Sequence, residues 1–224
     1  MKKAVLMLSG GPDSSTLAYL LKSQDYELHT ITFNFGEQEG EAEQRYAQVI
    51  ANKVSKTHRF VDFVNPMKQL YGFFDIPDPI HILRKTANPR EPIKNFGAGI
   101  ALSLASSYAA DIGADELFYA VHKDDAVYRE NNIGFFETMS KAISIELGRE
   151  FKIKAPLLNK TKAEVFRLAI DLGLKIEETW SCASNSVIQC GTCDPCKDRR
   201  LALMENNIDD LTVYKNPSNI YIHS

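Results

Sequence analysis

Ala4-Val5-Leu6-Met7-Leu8 runs straight into Ser9-Gly10-Gly11-Pro12-Asp13-Ser14-Ser15, and this junction decides the fold. An apolar run that empties into a glycine pair and then a helical pattern (Ser14 to Lys22) reads as a strand, an anion cradle and a helix. Gly10 and Gly11 let the backbone approach a phosphate closely. The following helix aims free N–H groups and the positive end of its dipole at that phosphate. Ser9, Ser14 and Ser15 add hydroxyl donors, while Asp13 can cap the helix or help to hold Mg2+. The stretch has neither the lysine of a Walker A loop nor the third glycine of a dinucleotide fingerprint, so neither loop fits. A plain Ser/Gly turn is the competing reading, and the specificity of the string weighs against it.

Outward from this junction, strand and helix patterns alternate. Leu28 to Phe35 is a β-branched and aromatic run, Gly40 to Val54 is helical, and His58 to Val64 reads as a third strand. Asn65 to Glu91 contains Pro66, Pro77, Pro79 and Pro89 and does not read as one regular element. The segment Arg84-Lys85 to Arg90-Lys94 is the one candidate basic patch; Arg84, Lys85 and Arg90 are a solvated run by default, with a lid over the bound phosphate or a carboxylate as the sharper alternative. Pro92 to Ile112 is an Ala- and Ser-rich helix suited to close packing on a sheet. Glu116 to Val121 is the fourth strand, Ile133 to Leu147 a helix, Lys152 to Leu158 a fifth strand and Lys162 to Leu172 a further helix. This alternation predicts an α/β doubly wound, mostly parallel sheet. Ligands in such sheets lie beyond the carboxyl ends of the strands. The glycine loop, Phe33 to Gly36 and His122 to Asp125 should therefore share one rim.

Every cysteine falls in one stretch, Cys182-x7-Cys190-x2-Cys193-x2-Cys196, with Gly191 and Pro195 between them for tight turns. Four thiolates with no histidine beside them describe a closed structural Zn2+ site. Disulfides need an oxidising compartment, and Met1-Lys2-Lys3 does not open a signal peptide. An iron–sulfur cluster and free or redox thiols remain open at this point.

The length of 224 residues suffices for one large domain or two small ones, and a formal charge of −3 argues against a dominant electrostatic grip on nucleic acid. No apolar stretch reaches membrane-spanning length. Length and composition fit one compact enzyme, expected in the cytoplasm.

These features together resemble the 7-cyano-7-deazaguanine synthase family of N-type ATP pyrophosphatases. The resemblance is carried by Ser9 to Ser15, Phe35-Gly36-Glu37, Pro92-Ile93-Lys94-Asn95, Lys160-Thr161-Lys162-Ala163-Glu164 and Glu178-Thr179-Trp180-Ser181-Cys182 with the three later cysteines. It implies an adenine nucleotide alpha hydrolase-like fold with a nucleotide-binding domain over 1–175 and a small zinc-binding C-terminal lobe over 176–224, ATP with Mg2+, one structural Zn2+, and often a homodimer. It also implies a ligase that activates 7-carboxy-7-deazaguanine by adenylation and converts it with ammonia to the amide and then the nitrile. On this resemblance Leu8, Ser9, Gly10, Gly11, Pro12, Asp13, Ser14, Ser15, Thr16, Leu17 and Ala18 hold ATP. Asp13, Lys94, Asp125 and Lys162 are the catalytic candidates, with Lys94 and Asp125 on the acid side. The chain departs from the family at Glu37-Gln38-Glu39, where Gln-Arg-His is common, and over His122 to Asn132, where a Tyr-Pro-Asp-Cys-Arg stretch is usual. Lys94 stands where arginine is usual, which turns a bidentate clamp into a point charge.

A solvated helix start explains Lys160, Lys162 and Glu164 about as well as a phosphate contact. His122 reads first as structural, Trp180 as a core plug, and adjacent Asp124 and Asp125 on extended backbone would face opposite ways. Two other classes compete. One is a conjugating or tRNA-thiolating relative with the same loop, and the other a nucleotide sensor that binds ATP without turnover.

Overall fold

The computed structural model describes residues 1–71 and 97–217. β1 (Lys3–Met7), β2 (Glu27–Asn34), β3 (Thr57–Asp62), β4 (Glu116–Phe118) and β5 (Lys152–Lys154) form one sheet in the order β3-β2-β1-β4-β5. Every pairing is parallel. The helices are α1 (Pro12–Ser23), α2 (Gly40–Val54), α3 (Val64–Tyr71), α4 (Gly97–Asp111), α5 (Ile133–Leu147), α6 (Lys162–Asp171) and α7 (Asp194–Glu205).

β1 is the central strand, and its side chains divide between two cores by strict alternation. Ala4, Leu6 and Leu8 meet Leu17 and Leu21 of α1, Ile50 of α2, Phe166 of α6 and Leu203 of α7. Val5 faces the other way, onto Leu102, Ala105 and Ala109 of α4 and Phe136 of α5. A strand buried on both faces must be apolar throughout, and that is why Ala4 to Leu8 carries no polar residue. The alanines of α4 let that helix lie close on the sheet, as its composition predicts.

Strand order reverses between β1 and β4, so the loops leaving those two strands border one crevice at the sheet's carboxyl edge. The sequence places β3 one residue late at its start and two too long at its end, since the chain turns into α3 at Val64. Pro66 sits in the first turn of α3, where its missing N–H costs nothing, so the proline-bearing excursion begins as a helix. The remainder of that excursion, with Arg84, Lys85, Arg90 and the Pro92 to Asn95 motif, lies outside the described residues. β4 and β5 are shorter than expected because both strands leave the sheet early. Beyond Lys154 the chain closes turns from Leu158 N–H to Ala155 O (3.1 Å) and from Lys160 N–H to Leu157 O (2.9 Å). Among the described residues no helix is long and apolar enough to cross a membrane.

Candidate active site and metal centre

The loop after β1 holds its own shape. Ser14 Oγ accepts from the Ser9 N–H (3.2 Å) and lies 3.1 Å from Ser9 Oγ, which also takes the Gly11 N–H (3.3 Å). The Ser9 and Ser14 hydroxyls, expected as phosphate donors, thus also brace the loop. Gly10 has φ +79°, and a Cβ there would sit 2.4 Å from Ala47 N and 2.8 Å from Glu43 O. Its glycine is therefore demanded by the backbone of α2 as much as by any phosphate. Gly11 serves as N-cap of α1 at an ordinary φ of −73°, and no side chain caps that helix. The sequence expectation that Asp13 caps α1 is corrected here. Its carboxylate turns away instead.

Asp13 Oδ2 takes the Lys162 Nζ at 2.5 Å, from the first turn of α6. Lys162 Nζ also lies 3.5 Å from His122 Nε2, while Asp13 Oδ1 is buried with no hydrogen-bond partner. Thr161 and Glu164 close a reciprocal capping box that starts α6 at this point. The Glu164 carboxyl is held below its ordinary value, first by the Thr161 backbone N–H. The family-like Lys-Thr-Lys-Ala-Glu run therefore splits its duties: Thr161 and Glu164 build the helix start, and Lys162 reaches the loop.

His122 forms the other wall. Residues Lys123–Val127 make a 3-10 turn that His122 caps, its Nδ1 accepting from the Asp124 N–H (3.3 Å). With Nδ1 as acceptor, the neutral ring carries its proton on Nε2. That nitrogen faces Asp125 Oδ2 at 3.3 Å, and Asp124 Oδ2 lies 3.6 Å from Nδ1. Asp124 Oδ2 also accepts the Lys162 backbone N–H (3.2 Å), one of the orphan donors of α6. The expectation of an extended Asp-Asp pair facing apart is corrected. A 3-10 turn brings both carboxylates to one imidazole.

The four cysteine sulfurs lie within 4.8 Å of one another. All four thiols are free of disulfides. Tetrahedral Zn–S bonds of about 2.3 Å would separate the sulfurs by about 3.8 Å, close to this spacing. Cys182 Sγ accepts the Cys190 N–H (3.3 Å), and Cys190 Sγ accepts the N–H groups of Thr192 (3.4 Å) and Cys193 (3.3 Å). The Cys196 thiol hydrogen bond, ahead of backbone donors, pulls Cys193 down to about 4 and correspondingly pushes Cys196 up. A donor set of four sulfurs ringed by N–H groups can hold a metal ion.

A family model described as queuosine biosynthesis protein QueC matches residues 3–207. The chain belongs to the QueC family. A QueC relative named 7-cyano-7-deazaguanine synthase, from Clostridium kluyveri, is 34% identical over 96% of this chain and 99% of its own length. Another of that name, from Archaeoglobus fulgidus, is 32% identical over 98% of this chain and 95% of its own. Among solved structures, the NMN synthetase from Francisella tularensis matches with TM-score 0.55 at 16% identity, covering 92% of this chain and 78% of that one. The NH3-dependent NAD synthetase from Campylobacter jejuni matches with TM-score 0.51 at 17% identity, covering 92% and 74%. At such identities the likeness shows the fold alone, an adenine nucleotide alpha hydrolase-like sheet.

Within this QueC-family chain, Asp13 of the glycine loop meets Lys162, and Asp125 is joined to that pair through His122. Lys94 lies outside the described residues. His122 and Asp124, which the sequence places on the same rim, join the cluster, although His122 reads first as structural. The acidic run unusual for the family sits at the start of α2, where Glu37 Oε2 accepts the Phe35 N–H (3.0 Å). Burial first, then the charges of Glu39 and Glu37, push the Glu43 carboxyl well above its ordinary value.

Proposed function

We propose that this chain is the ATP-dependent ligase that converts 7-carboxy-7-deazaguanine and ammonia to 7-cyano-7-deazaguanine, with the Ser9 to Ser15 loop as its pyrophosphate cradle. The observation that carries the reading is the Asp13–Lys162 pair, which ties the loop to α6 at the strand-order reversal. Leu8 to Ala18 then form the ATP-binding segment, and the open first turn of α1 supplies backbone donors to phosphate oxygens. Asp13, with one oxygen on Lys162 and the other buried without a partner, fits an oxygen ligand for Mg2+. When bound, that ion offsets negative charge on the phosphates.

A carboxylic acid resists amidation because hydroxide leaves poorly. The carboxylate oxygen bonds to the α-phosphorus of ATP, the bond to the bridging oxygen breaks, and pyrophosphate departs into the loop. Ammonia then displaces AMP to give the amide. The amide oxygen then bonds to the α-phosphorus of a second ATP with departure of pyrophosphate, and loss of AMP and both N–H protons to solvent gives the nitrile. Lys162 is placed to exchange Asp13 for phosphate oxygens as charge develops there. Asp125, held by the His122 Nε2–H, is the acceptor we assign to N–H donors of the deazapurine, and Lys94 the cation for its acid group. The cysteine set Cys182, Cys190, Cys193 and Cys196 fits structural Zn2+, which leaves no thiol for a thioester route. The same reading makes residues 1–175 the catalytic domain and 176–224 the zinc lobe of a cytoplasmic homodimer.

Pyrophosphate release tests the assignment. The wild-type chain should release pyrophosphate only when the acid is present, and Lys162→Met should lower that rate about a hundredfold or more. Release that ignores the acid, or a Lys162→Met variant with unchanged turnover, would overturn it.

A further inference from the structure

The chain has a single tryptophan, Trp180, and it touches both functional centres. It is 2% exposed, within the cluster that contains Cys182 and Cys196. On one side its backbone N–H donates to Gly10 O (2.9 Å), and its carbonyl lies 3.4 Å from where a Cβ of Gly11 would be. On the other, its indole N–H donates to Cys182 O (2.7 Å). The indole also stacks on Tyr46 (ring centres 5.3 Å apart), whose backbone presses against Gly10. The residue before it is clamped from α7. The fully buried Arg199 gives Nη1 hydrogen bonds to Thr179 O (3.2 Å) and Thr179 Oγ1 (2.9 Å). Segment 179–182 is therefore held at Thr179 by α7 and at Cys182 by the cysteine centre, and between them Trp180 holds the glycine pair.

We propose that Trp180 is a positioning residue for the phosphate loop, coupling it to the cysteine centre so that metal binding and ATP binding strengthen one another. The proposal rests on the loop's taking ATP phosphates, as argued above. A metal ion gathers Cys182 into the cluster, which sets the carbonyl that receives the indole N–H. The indole in turn holds its own backbone N–H against Gly10. Releasing the metal frees Cys182, and the loop loses its outer brace. Linkage makes the coupling reciprocal, with the same factor read from either ligand.

The test uses the zinc-loaded full chain. Zinc extraction by a chromogenic chelator is followed with and without a saturating non-hydrolysable ATP analogue, whose binding is verified by calorimetry. The analogue should raise the chelator concentration needed for half extraction by about fivefold or more. Trp180→Phe keeps the backbone N–H to Gly10 but removes the indole donor to Cys182. It should still bind zinc and the analogue, with the factor falling toward one. In wild type, Trp180 emission should change on adding either ligand. Superimposed wild-type extraction curves with the analogue bound would overturn the coupling while leaving the ligase reading intact. So would a Trp180→Phe variant that keeps the full factor. No analogue binding at all would overturn both.

Discussion

Gly10 shows how one residue can carry two constraints. Its φ of +79° disfavours any side chain, and the α2 backbone at Ala47 and Glu43 fills the space where a Cβ would go. Gly10→Ala should therefore cost about 1–3 kcal/mol through overpacking alone. Its melting temperature should drop even without nucleotide. Gly11→Ala meets only Ser9 Oγ (3.3 Å) and Trp180 O (3.4 Å) at an ordinary φ, and should stay close to wild type in stability. Equal stability for both variants would contradict the account. The anion-cradle reading of this pair was legible from sequence, but the close approach of α2 was not, since it depends on a helix more than thirty positions away in chain order. Asp124 and Asp125 illustrate the opposite failure. Their adjacency suggested divergence on extended backbone, whereas His122 caps a 3-10 turn and gathers both.

At the scale of elements, the sheet's other edge is stapled by one buried acid. Glu116 at the start of β4 is 4% exposed and takes Lys2 from before β1 and Lys154 from β5, each at 2.5 Å, and the Tyr26 hydroxyl from before β2 at 2.9 Å. Burial pushes its carboxyl up, but hydrogen bonds from Lys154, Lys2 and Tyr26 outweigh that and leave it below its ordinary value of 4.5. A lowered carboxyl contributes stability above pH 4.5 that is lost as pH falls through the folded-state value. Glu116→Gln should cost about 1–3 kcal/mol at neutral pH through the lost charge-assisted hydrogen bonds, a loss moderated because the freed lysines can reach water. Denaturant titrations should show the gap between variant and wild type narrowing as pH drops below 4.5, where protonated Glu116 resembles glutamine. A gap independent of pH would refute the staple. Element order was readable because alternating apolar runs and helical periods state it directly. β4 and β5 were overextended because their apolar runs continue past the point where turns draw the chain from the sheet. Glu164, read from sequence as either a solvated face or a phosphate contact, closes a capping box with Thr161, and capping is local enough to read from Thr161 three residues before.

For the whole molecule, the cysteine centre is joined to the parallel sheet through α7, whose Ala202 and Leu203 lie in the sheet's core, and through segment 179–182. Removing the metal should therefore reach beyond the lobe. Metal analysis is expected to find one Zn2+ per chain, and chelation should lower the melting temperature markedly, because binding free energy at such a site is also folding free energy. A metal-free protein that melts at the same temperature would contradict this, as would a stoichiometric iron–sulfur chromophore. The spacing of the cysteines made their cluster legible, while Trp180 as the link to Gly10 carries no sequence signature beyond its nearness to Cys182. The central claim, that this assembly makes a nitrile from an acid, is tested most directly by its product. The chain is incubated with ATP, Mg2+, ammonium and 7-carboxy-7-deazaguanine, and the mixture is read by mass spectrometry. The account predicts conversion of the acid through the amide to 7-cyano-7-deazaguanine, with AMP and pyrophosphate formed. An acid left unconsumed by protein that binds ATP would contradict it.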